Sequence, residues 1–282
     1  MATLITKNSS TAAAVPGTGD LVQGELAVNV TDKKLYTKDS GGNIVKVVGS
    51  LGNQEANAVA ITGGSISGVA GLVASSYQEF TSSGTWTKPA GANFVYVEAI
   101  GGGGSGGNNF STGGSGGGGG LYVSRVFRAS DLTATVAVTV GAGGVAVGGN
   151  SNGNNGSAST FASYLSAPGG EGGFQNGANR GGRAGLVYGL ANSSTGHQSF
   201  VDGGTGGGST NVGGSAIYGG AGGGGYDPTP NTSAGGTSQF AGNGGSGGGA
   251  TGVAGSAPGG GGGGAAGTSG AGGNGRVRVW TW

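Results

Sequence analysis

Residues 101–107 read GGGGSGG, and after a five-residue polar interruption residues 113–120 read GGSGGGGG. Four further runs of this kind follow, at residues 203–208, 219–225, 242–249 and 259–264. The chain has 77 glycines among 282 residues, roughly four times the ordinary usage. The structure built by these runs decides the fold, because glycine has no side chain with which to form a hydrophobic core.

Several structures are open to such runs. Random coil is the default, because glycine loses more entropy on ordering than any other residue. Collagen is excluded, because the sequence has no Gly-X-Y period and only six prolines. An all-β arrangement is a further possibility. The remaining one is a bundle of polyglycine-II helices, which are left-handed with three residues per turn. Such helices lack internal hydrogen bonds, so their backbone groups must pair with neighbouring helices at a distance that only glycine permits.

The residues between the runs favour the bundle. A disordered linker would be filled with Ser, Gln, Glu or Lys, whereas here the runs alternate with short apolar and aromatic pieces such as Phe161, Phe174 and Phe240. We therefore predict a polyglycine-II bundle, with disorder and an all-β fold as the alternatives.

The segments that flank the runs predict β-strands, and none has a helical period. Residues 94–100, 121–127 and 134–140 are rich in Val, Tyr and Phe, and residues 276–282 alternate Arg and Trp with Val and Thr. We expect five to seven strands from Tyr77 onward, which enclose the bundle. Four arginines on these strands are expected to stack on Trp280, Trp282 or Tyr122 and to pair with Glu98 or Asp131: Arg125, Arg128, Arg276 and Arg278.

The composition changes near residue 100. Residues 1–100 hold 13 glycines and 13 of the 23 charged residues, and residues 101–282 hold the other 64 glycines and ten charges. Before residue 50, three short strands predict a β meander, in which Leu26, Val28 and Val30 share one face. Strands this short cannot bury a stabilising core alone and need a partner surface.

The sequence therefore divides into three regions. Residues 1–50 form an extended arm and the β meander. Residues 51–76, small and β-branched, suit a narrow stalk in which several chains share an apolar axis, or else a flexible linker. Residues 77–282 form a glycine-rich domain that is mainly β.

Composition also excludes several functions. Without cysteine there can be no disulfide, thiolate zinc site or cysteine nucleophile. Twelve Lys and Arg residues and a net charge of +1 give no electrostatic basis for nucleic-acid binding. No apolar run approaches the roughly 20 residues of a membrane span, and Met1 begins a polar segment without a signal peptide. We expect synthesis in a cytoplasm, no membrane insertion and no cofactor.

Catalytic constellations are equally sparse. His197 has Asp202 as the only acid within ten residues, which indicates a surface histidine more than a catalytic base. Glu171, Asp202 and Asp227 could supply a glycosidase carboxylate pair, but they are scattered over glycine-rich segments. We therefore predict that the protein is not an enzyme, with a polysaccharide-degrading activity as an alternative.

Polar loops between the runs are the expected sites of recognition, because loops on a rigid scaffold usually carry binding residues. The candidates share a position in these loops and an aromatic or polar side chain: Asn109, Phe110, Arg180, Arg183, Tyr188, His197, Phe200 and Tyr226. The alternative for the aromatic residues is that they hold the loop bases against the bundle.

Four segments, in this order, resemble the tail fibres of tailed bacteriophages. They are GELAVN at 24–29 with KLYTKD at 34–39, NAVAITGG at 57–64, FTSSGTWTKPAG at 80–91 before the first glycine run, and GRVRV at 275–279. The resemblance frames nearly the whole chain, although no chaperone-like C-terminal segment is visible.

This resemblance implies a fibrous homotrimer in the virion. Its N-terminal region would attach to phage tail or adaptor proteins, with Leu4, Ile5, Leu26, Val28 and Tyr36 as attachment residues. The glycine-rich tip domain would face the host, and its loops would bind a bacterial surface polysaccharide or an outer-membrane protein. A structural or ice-binding glycine-rich protein is the alternative from another class.

Overall fold

The computed structural model describes residues 7–47, 75–176, 181–184, 203–226 and 233–282. The chain divides into two compact units, one within residues 1–70 and the other within residues 71–282. In the described segments the regular structure is almost entirely β, with one 3₁₀ turn at Ala129–Asp131 and no helix long and apolar enough to cross a membrane. The mainly β class is confirmed. The predicted stalk, residues 51–76, lies almost wholly outside the described residues and stays a prediction.

The N-terminal unit is a four-stranded sheet whose strands lie in chain order. Its strands are β1 (Lys7–Ser9), β2 (Leu26–Asn29), β3 (Lys34–Lys38) and β4 (Ile44–Lys46). The last three form the predicted antiparallel meander. The pairing of β1, parallel to β2, was not predicted, because a three-residue polar strand has no hydrophobic pattern.

The apolar face predicted for β2 is the exposed face of this sheet. Leu26 and Val30 are 40% and 54% exposed, whereas Ala27 and Asn29 are buried. The Asn29 side-chain nitrogen donates hydrogen bonds to the carbonyls of Thr11 and Ala14, at 2.9 and 3.0 Å. The segment predicted to be an extended arm is therefore held against the sheet, and the Leu26 face has no partner among the described residues of this unit.

Two four-stranded sheets form a β-sandwich in the second unit. The first has the order β5-β12-β7-β8 and the second β11-β10-β9-β6. Their bounds are β5 (Ser76–Phe80), β6 (Gly84–Thr87), β7 (Phe94–Ile100), β8 (Tyr122–Arg128), β9 (Thr135–Thr139), β10 (Ser159–Phe161), β11 (Leu165–Ala167) and β12 (Arg276–Thr281). The core between the sheets is apolar, and the buried rings of Trp86 and Phe161 lie 5.5 Å apart in it.

The strands continue directly into the glycine-rich segments. β7 leads into residue 101, and residue 121 leads into β8; in the same way β11 leads into residue 168 and residue 275 leads into β12. The sandwich therefore lies at one end of the glycine segments. This differs from the predicted enclosure, because each strand has its glycine segment as an extension and not as a layer beneath it.

Hydrogen bonds from residues 101–109 repeat every three residues. Gly101, Gly104 and Gly107 donate to carbonyls in the antiparallel segment 113–121, at 2.8 to 3.0 Å. The next residue of each triplet donates to segment 151–157, and Gly103 and Gly106 donate to segment 270–273. Each turn of three residues thus points its three N–H groups in three directions.

The carbonyl groups of residues 101–109 accept hydrogen bonds from three more segments. These are 141–147, 168–174 and 259–265. Six segments therefore surround this run. The runs 113–121, 219–226 and 259–265 are surrounded in the same manner, and we call the whole hydrogen-bonded array the glycine lattice. Its interior satisfies the backbone groups without a conventional sheet.

Segments at the edge of the glycine lattice carry side chains on their outer side only. In segment 141–147, Gly141 and Gly144 are buried, whereas Ala142 and Val145 are exposed. A Cβ at Gly141, Gly143 or Gly144 would overlap neighbouring backbone, whereas Ala142 and Val145 point outward, so such segments contain less glycine than the central runs. The sequence analysis therefore identified the nearly pure runs but not these edge segments.

Gly104→Ala tests the packing at the centre of the glycine lattice. A Cβ at this position would overlap the carbonyl of Glu171, which already accepts a hydrogen bond from Gly118. Since backbone atoms cannot move aside without breaking that bond, we expect the free energy of unfolding in urea to fall by about 3 kcal/mol.

Gly148→Ala is the matched control. The nearest atom to a Cβ there, the carbonyl oxygen of Gly267, is 3.6 Å away, so the change should stay within about 0.5 kcal/mol. Equal urea midpoints for the two variants would contradict the packing described here.

Candidate functional site

The glycine lattice ends in a set of turns on the side opposite the β-sandwich. We call this set, with Tyr226, the tip end; its described turns are residues 109–113, 148–151, 209–212, 249–251 and 266–268. Three of the predicted recognition residues, Asn109, Phe110 and Tyr226, lie here. The structure therefore brings these three to the same end of the glycine lattice.

Asparagine side chains fix the turn that carries Phe110. The side-chain oxygen of Asn109 accepts hydrogen bonds from the backbone N–H groups of Ser111 and Thr112, at 2.8 and 3.0 Å. The N–H of Phe110 donates to the side-chain oxygen of Asn150 at 2.8 Å. The Phe110 ring is nevertheless 61% exposed. A large apolar ring is thus presented to solvent on a backbone that is held in place.

Tyr226 ends a lattice run and is less free than a loop residue. Its N–H donates to the carbonyl of Gly114 at 2.9 Å, and its ring is half-buried. A Cβ at Gly249 would lie 3.2 Å from its hydroxyl oxygen, so the ring covers that turn. This position fits the alternative considered from the sequence, in which aromatic residues hold turns against the bundle.

The described turns of the tip end carry no charged side chain. Their polar groups are amides and hydroxyls, including Asn109, Asn150 and Asn211. Each neutral amide has donor and acceptor atoms, of which the Asn109 nitrogen already donates to Asn176 and the Asn150 oxygen already accepts from Phe110. The tip end therefore combines an exposed ring with uncharged groups of both polarities.

Arg183 lies in a lattice segment and not in a turn of the tip end, and its role in recognition stays a prediction. Its N–H donates to a Glu171 carboxylate oxygen at 3.1 Å, and its carbonyl accepts from the N–H of Glu171 at 2.8 Å. Gly181 and Gly182, which directly precede Arg183, are enough for the chain to continue the glycine lattice here. The predicted Arg180, Tyr188, His197 and Phe200 lie outside the described residues and stay predictions.

The outer face of the sheet β5-β12-β7-β8 carries a cluster of aromatic side chains, which we call the aromatic face. It consists of Tyr77, Phe94, Tyr96, Tyr122, Trp280 and Trp282, together with Tyr218 and Phe240 from turns of the glycine lattice. Ring centroids of neighbouring members lie 5.2 to 5.9 Å apart. Several of these residues lie on strands that the sequence predicts, but the sequence does not predict that they form one surface.

Charged groups on the aromatic face pair differently from expectation. Arg276 and Arg278 both contact Glu79, at 3.5 and 3.2 Å, and not Glu98. Arg125 is on the other side of the sheet, opposite Val97, and lies over the ring of Phe127, 5.0 Å from its centroid. Arg278 is directly opposite Glu79 on one side and Glu98 on the other, so the cross-strand register permits either ion pair.

Glu98 instead accepts hydrogen bonds from two tyrosine hydroxyls. Tyr96 and Tyr122 each donate to its Oε1 at 2.9 Å, and their hydroxyl oxygens are 3.1 Å apart. Burial raises the pKa of Tyr122 well above its usual range, and the interactions with Tyr96 and Glu98 act in the same direction. Burial and the hydrogen bond to Glu79 also raise the pKa of Tyr77.

Neither surface contains a metal centre of the usual kind. Within the described segments, no three His, Cys, Asp or Glu side chains are grouped so that they could hold an ion. Of the three carboxylates considered for glycosidase chemistry, Glu171 is paired with Arg183, and Asp202 and Asp227 are not among the described residues.

Comparison with known proteins now identifies the family. A family model described as "Glycine-rich domain" matches residues 78–281. The chain belongs to the glycine-rich domain family. The matched range contains the whole glycine lattice and almost all of the β-sandwich.

A curated relative gives a partial match. The chain is 40% identical over 57 residues to the "Long tail fiber protein Gp37" of Enterobacteria phage T2. This alignment covers 20% of the present chain and 4% of the phage protein. The chain is therefore similar in part to a phage tail fibre protein, which confirms the coarser part of the resemblance seen in the sequence.

The raised pKa values predict a loss of stability in alkali. A tyrosine whose pKa is raised by folding contributes stability that is fully present below the unfolded pKa of about 10, and this contribution is lost as the pH rises through the folded pKa. We expect fewer tyrosines to ionise with an ordinary pKa in the folded protein than in the urea-unfolded protein, as measured by phenolate absorbance.

Tyr122→Phe provides the control for this titration. It should leave the number of ordinarily ionising tyrosines in the folded protein unchanged and reduce the alkaline loss of stability. If all tyrosines of the folded protein ionised together near the unfolded value, the burial of Tyr122 would be contradicted.

Proposed function

We propose that the protein is a tail-fibre adhesin that attaches a phage virion to the surface of its host and catalyses no reaction. The observation that carries this proposal is the tip end, where the exposed ring of Phe110 and uncharged amides are displayed on a rigid array. The partial identity with a phage long tail fibre protein supports the same role.

We infer that the glycine lattice is a bundle of polyglycine-II helices. The three-residue period of its hydrogen bonds supports this inference, because a helix with three residues per turn presents equivalent groups at that interval. Such a scaffold is stiff across its whole width. It would hold the tip end in a fixed arrangement, which lowers the entropy cost of binding.

We propose that the N-terminal unit attaches the fibre to phage tail or adaptor proteins. We also propose that the fibre is a homotrimer of the chain. The exposed apolar face of the N-terminal unit, which includes Leu26 and Val28, supports both proposals because an unpartnered apolar face favours association. Tyr36 is buried on the other side of the sheet, so its contribution would be to hold the sheet together. Leu4 and Ile5 are not described residues.

The ligand of the tip end is proposed to be a bacterial surface polysaccharide or an outer-membrane protein. Neutral amides pair with sugar hydroxyls and with peptide groups alike, and an exposed ring can pack against apolar patches of either. A trimeric fibre would bind through several tips at once, so that weak single contacts give firm attachment.

Phe110→Ala tests the adhesive role of the tip end. Because the ring is exposed and the turn is fixed by Asn109 and Asn150, the variant should fold normally. Loss of an exposed aromatic anchor should weaken adsorption of assembled virions to host cells by about tenfold or more. The adsorption rate constant of virions carrying the variant fibre is the measurement.

Val145→Ala is the matched control, since Val145 is also well exposed but lies on the side of the glycine lattice. It should leave adsorption unchanged. Adsorption that is equally insensitive to both substitutions would remove Phe110 from the proposed binding site.

A further inference from the structure

The aromatic face leaves large aromatic side chains accessible to solvent. Tyr77 and Trp282 are 51% and 44% exposed, and Trp280 and Tyr96 are partly accessible. Large exposed aromatic patches on soluble proteins commonly mark binding surfaces. This surface lies on the β-sandwich and not at the tip end, so it stands apart from the proposed adhesive turns.

Two parallel rows of side chains cross the aromatic face. Tyr77, Trp280 and Tyr96 are directly opposite one another on three adjacent strands. Two residues further along each strand, and hence on the same face, lies a polar row of Glu79, Arg278 and Glu98. An apolar ridge of rings thus runs beside a line of hydrogen-bonding groups.

Arg278 and Glu98 face each other in the polar row without forming an ion pair, in contrast to Arg278 and Glu79. Arg278 uses its Nε on Glu79, and Glu98 uses its Oε1 on the two tyrosines. Among the described residues, the terminal nitrogens of Arg278 and the Oε2 of Glu98 have no hydrogen-bond partner. A donor and an acceptor are therefore available side by side.

The charges around the polar row cancel. Glu79 and Glu98 offset Arg276 and Arg278 there, whereas Arg128, which shares this face, lies opposite Phe94 at the other end of β7. Partial burial alone would raise the pKa of Glu79, but its contacts with the arginines and Tyr77 outweigh burial, so this pKa is lowered and the carboxylate stays charged. A balanced row has no net attraction for an acidic or a basic partner. The complementary ligand is uncharged.

We propose that the aromatic face binds a neutral saccharide. Of two adjacent sugar hydroxyls, one accepts a hydrogen bond from Arg278 and the other donates to Glu98, which are charge-assisted contacts and hence strong ones. The C–H face of the sugar ring packs on Trp280 and Tyr96. A pair of neighbouring hydroxyls beside an apolar face is characteristic of pyranoses, and a peptide surface rarely offers it.

Titration of the full chain with maltohexaose, cellohexaose and mannohexaose tests this site. Trp280 and Trp282 lie on the face and Trp86 is buried in the core, so tryptophan fluorescence reports occupancy. We expect a saturable change with at least one of these oligosaccharides. Glu98→Gln and Arg278→Gln should each weaken that binding by about tenfold or more, because each removes a charged hydrogen-bond partner.

Arg125→Gln makes the same change on strand β8, on the opposite face of the same sheet; it is the matched control and should bind as the unaltered chain does. Phe110→Ala should also leave this fluorescence change intact, which separates the site from the tip end. The proposal is overturned if none of the three oligosaccharides gives a saturable change, or if Glu98→Gln and Arg278→Gln bind normally. It is equally overturned if Tyr77→Ser dissociates an assembly of the chain in sedimentation, because the face would then be an interface between copies.

Discussion

Hydrogen bonding between the backbones of neighbouring glycine segments is the constraint on which the second unit depends. A run such as 101–109 has no internal hydrogen bonds of its own, so its N–H and C=O groups must find partners in the segments around it. Close approach of those segments leaves room for a Cβ at only a few interior positions, such as Ser105 and Ser115. The hydroxyls of these two residues are buried and accept hydrogen bonds within the glycine lattice, so side chains that can recognise a ligand are confined to its edges, its turns and the β-sandwich.

An array without interlocking side chains needs other means to fix its register, and the structure supplies them at both ends. At the strand end, the ring of Tyr122 packs at a tilt against Tyr218, which stacks on Phe240. At the tip end, the side chain of Asn108 donates to the carbonyls of Ala266 and Gly267. These contacts prevent one segment from sliding along another by a triplet, which the glycine runs alone would allow.

Local patterns in the sequence were sufficient to predict the elements that depend on them. The alternation in residues 94–100 and 276–282 predicted β7 and β12, and the nearly pure runs predicted ordered packing of glycine. The edge segments, such as 141–147, were not predicted because outward-facing Ala and Val residues interrupt their glycines. Strands β10 and β11 were also missed, since three residues carry too little pattern and their pairing depends on distant chain.

The candidate site residues differ in the same way: some can be placed from the neighbouring sequence, and others only from contacts between distant parts of the chain. Asn109 and Phe110 could be placed in an exposed turn because glycine runs bracket them. The aromatic face could not be predicted, since it joins Tyr77, Tyr96 and Trp280 through a cross-strand register that only the fold determines. Arg183 was not placed in the glycine lattice for the converse reason: a short glycine pair before it suffices to continue the glycine lattice.

Hydrogen exchange of the backbone amides in residues 101–121 is the most direct test of the central claim that segments without side chains form an ordered, mutually hydrogen-bonded array. These amides should exchange as slowly as those of strand β7, because both are released only when the whole unit unfolds. Exchange of residues 101–107 and 114–120 at the rate of an unstructured peptide, while β7 remained protected, would contradict it.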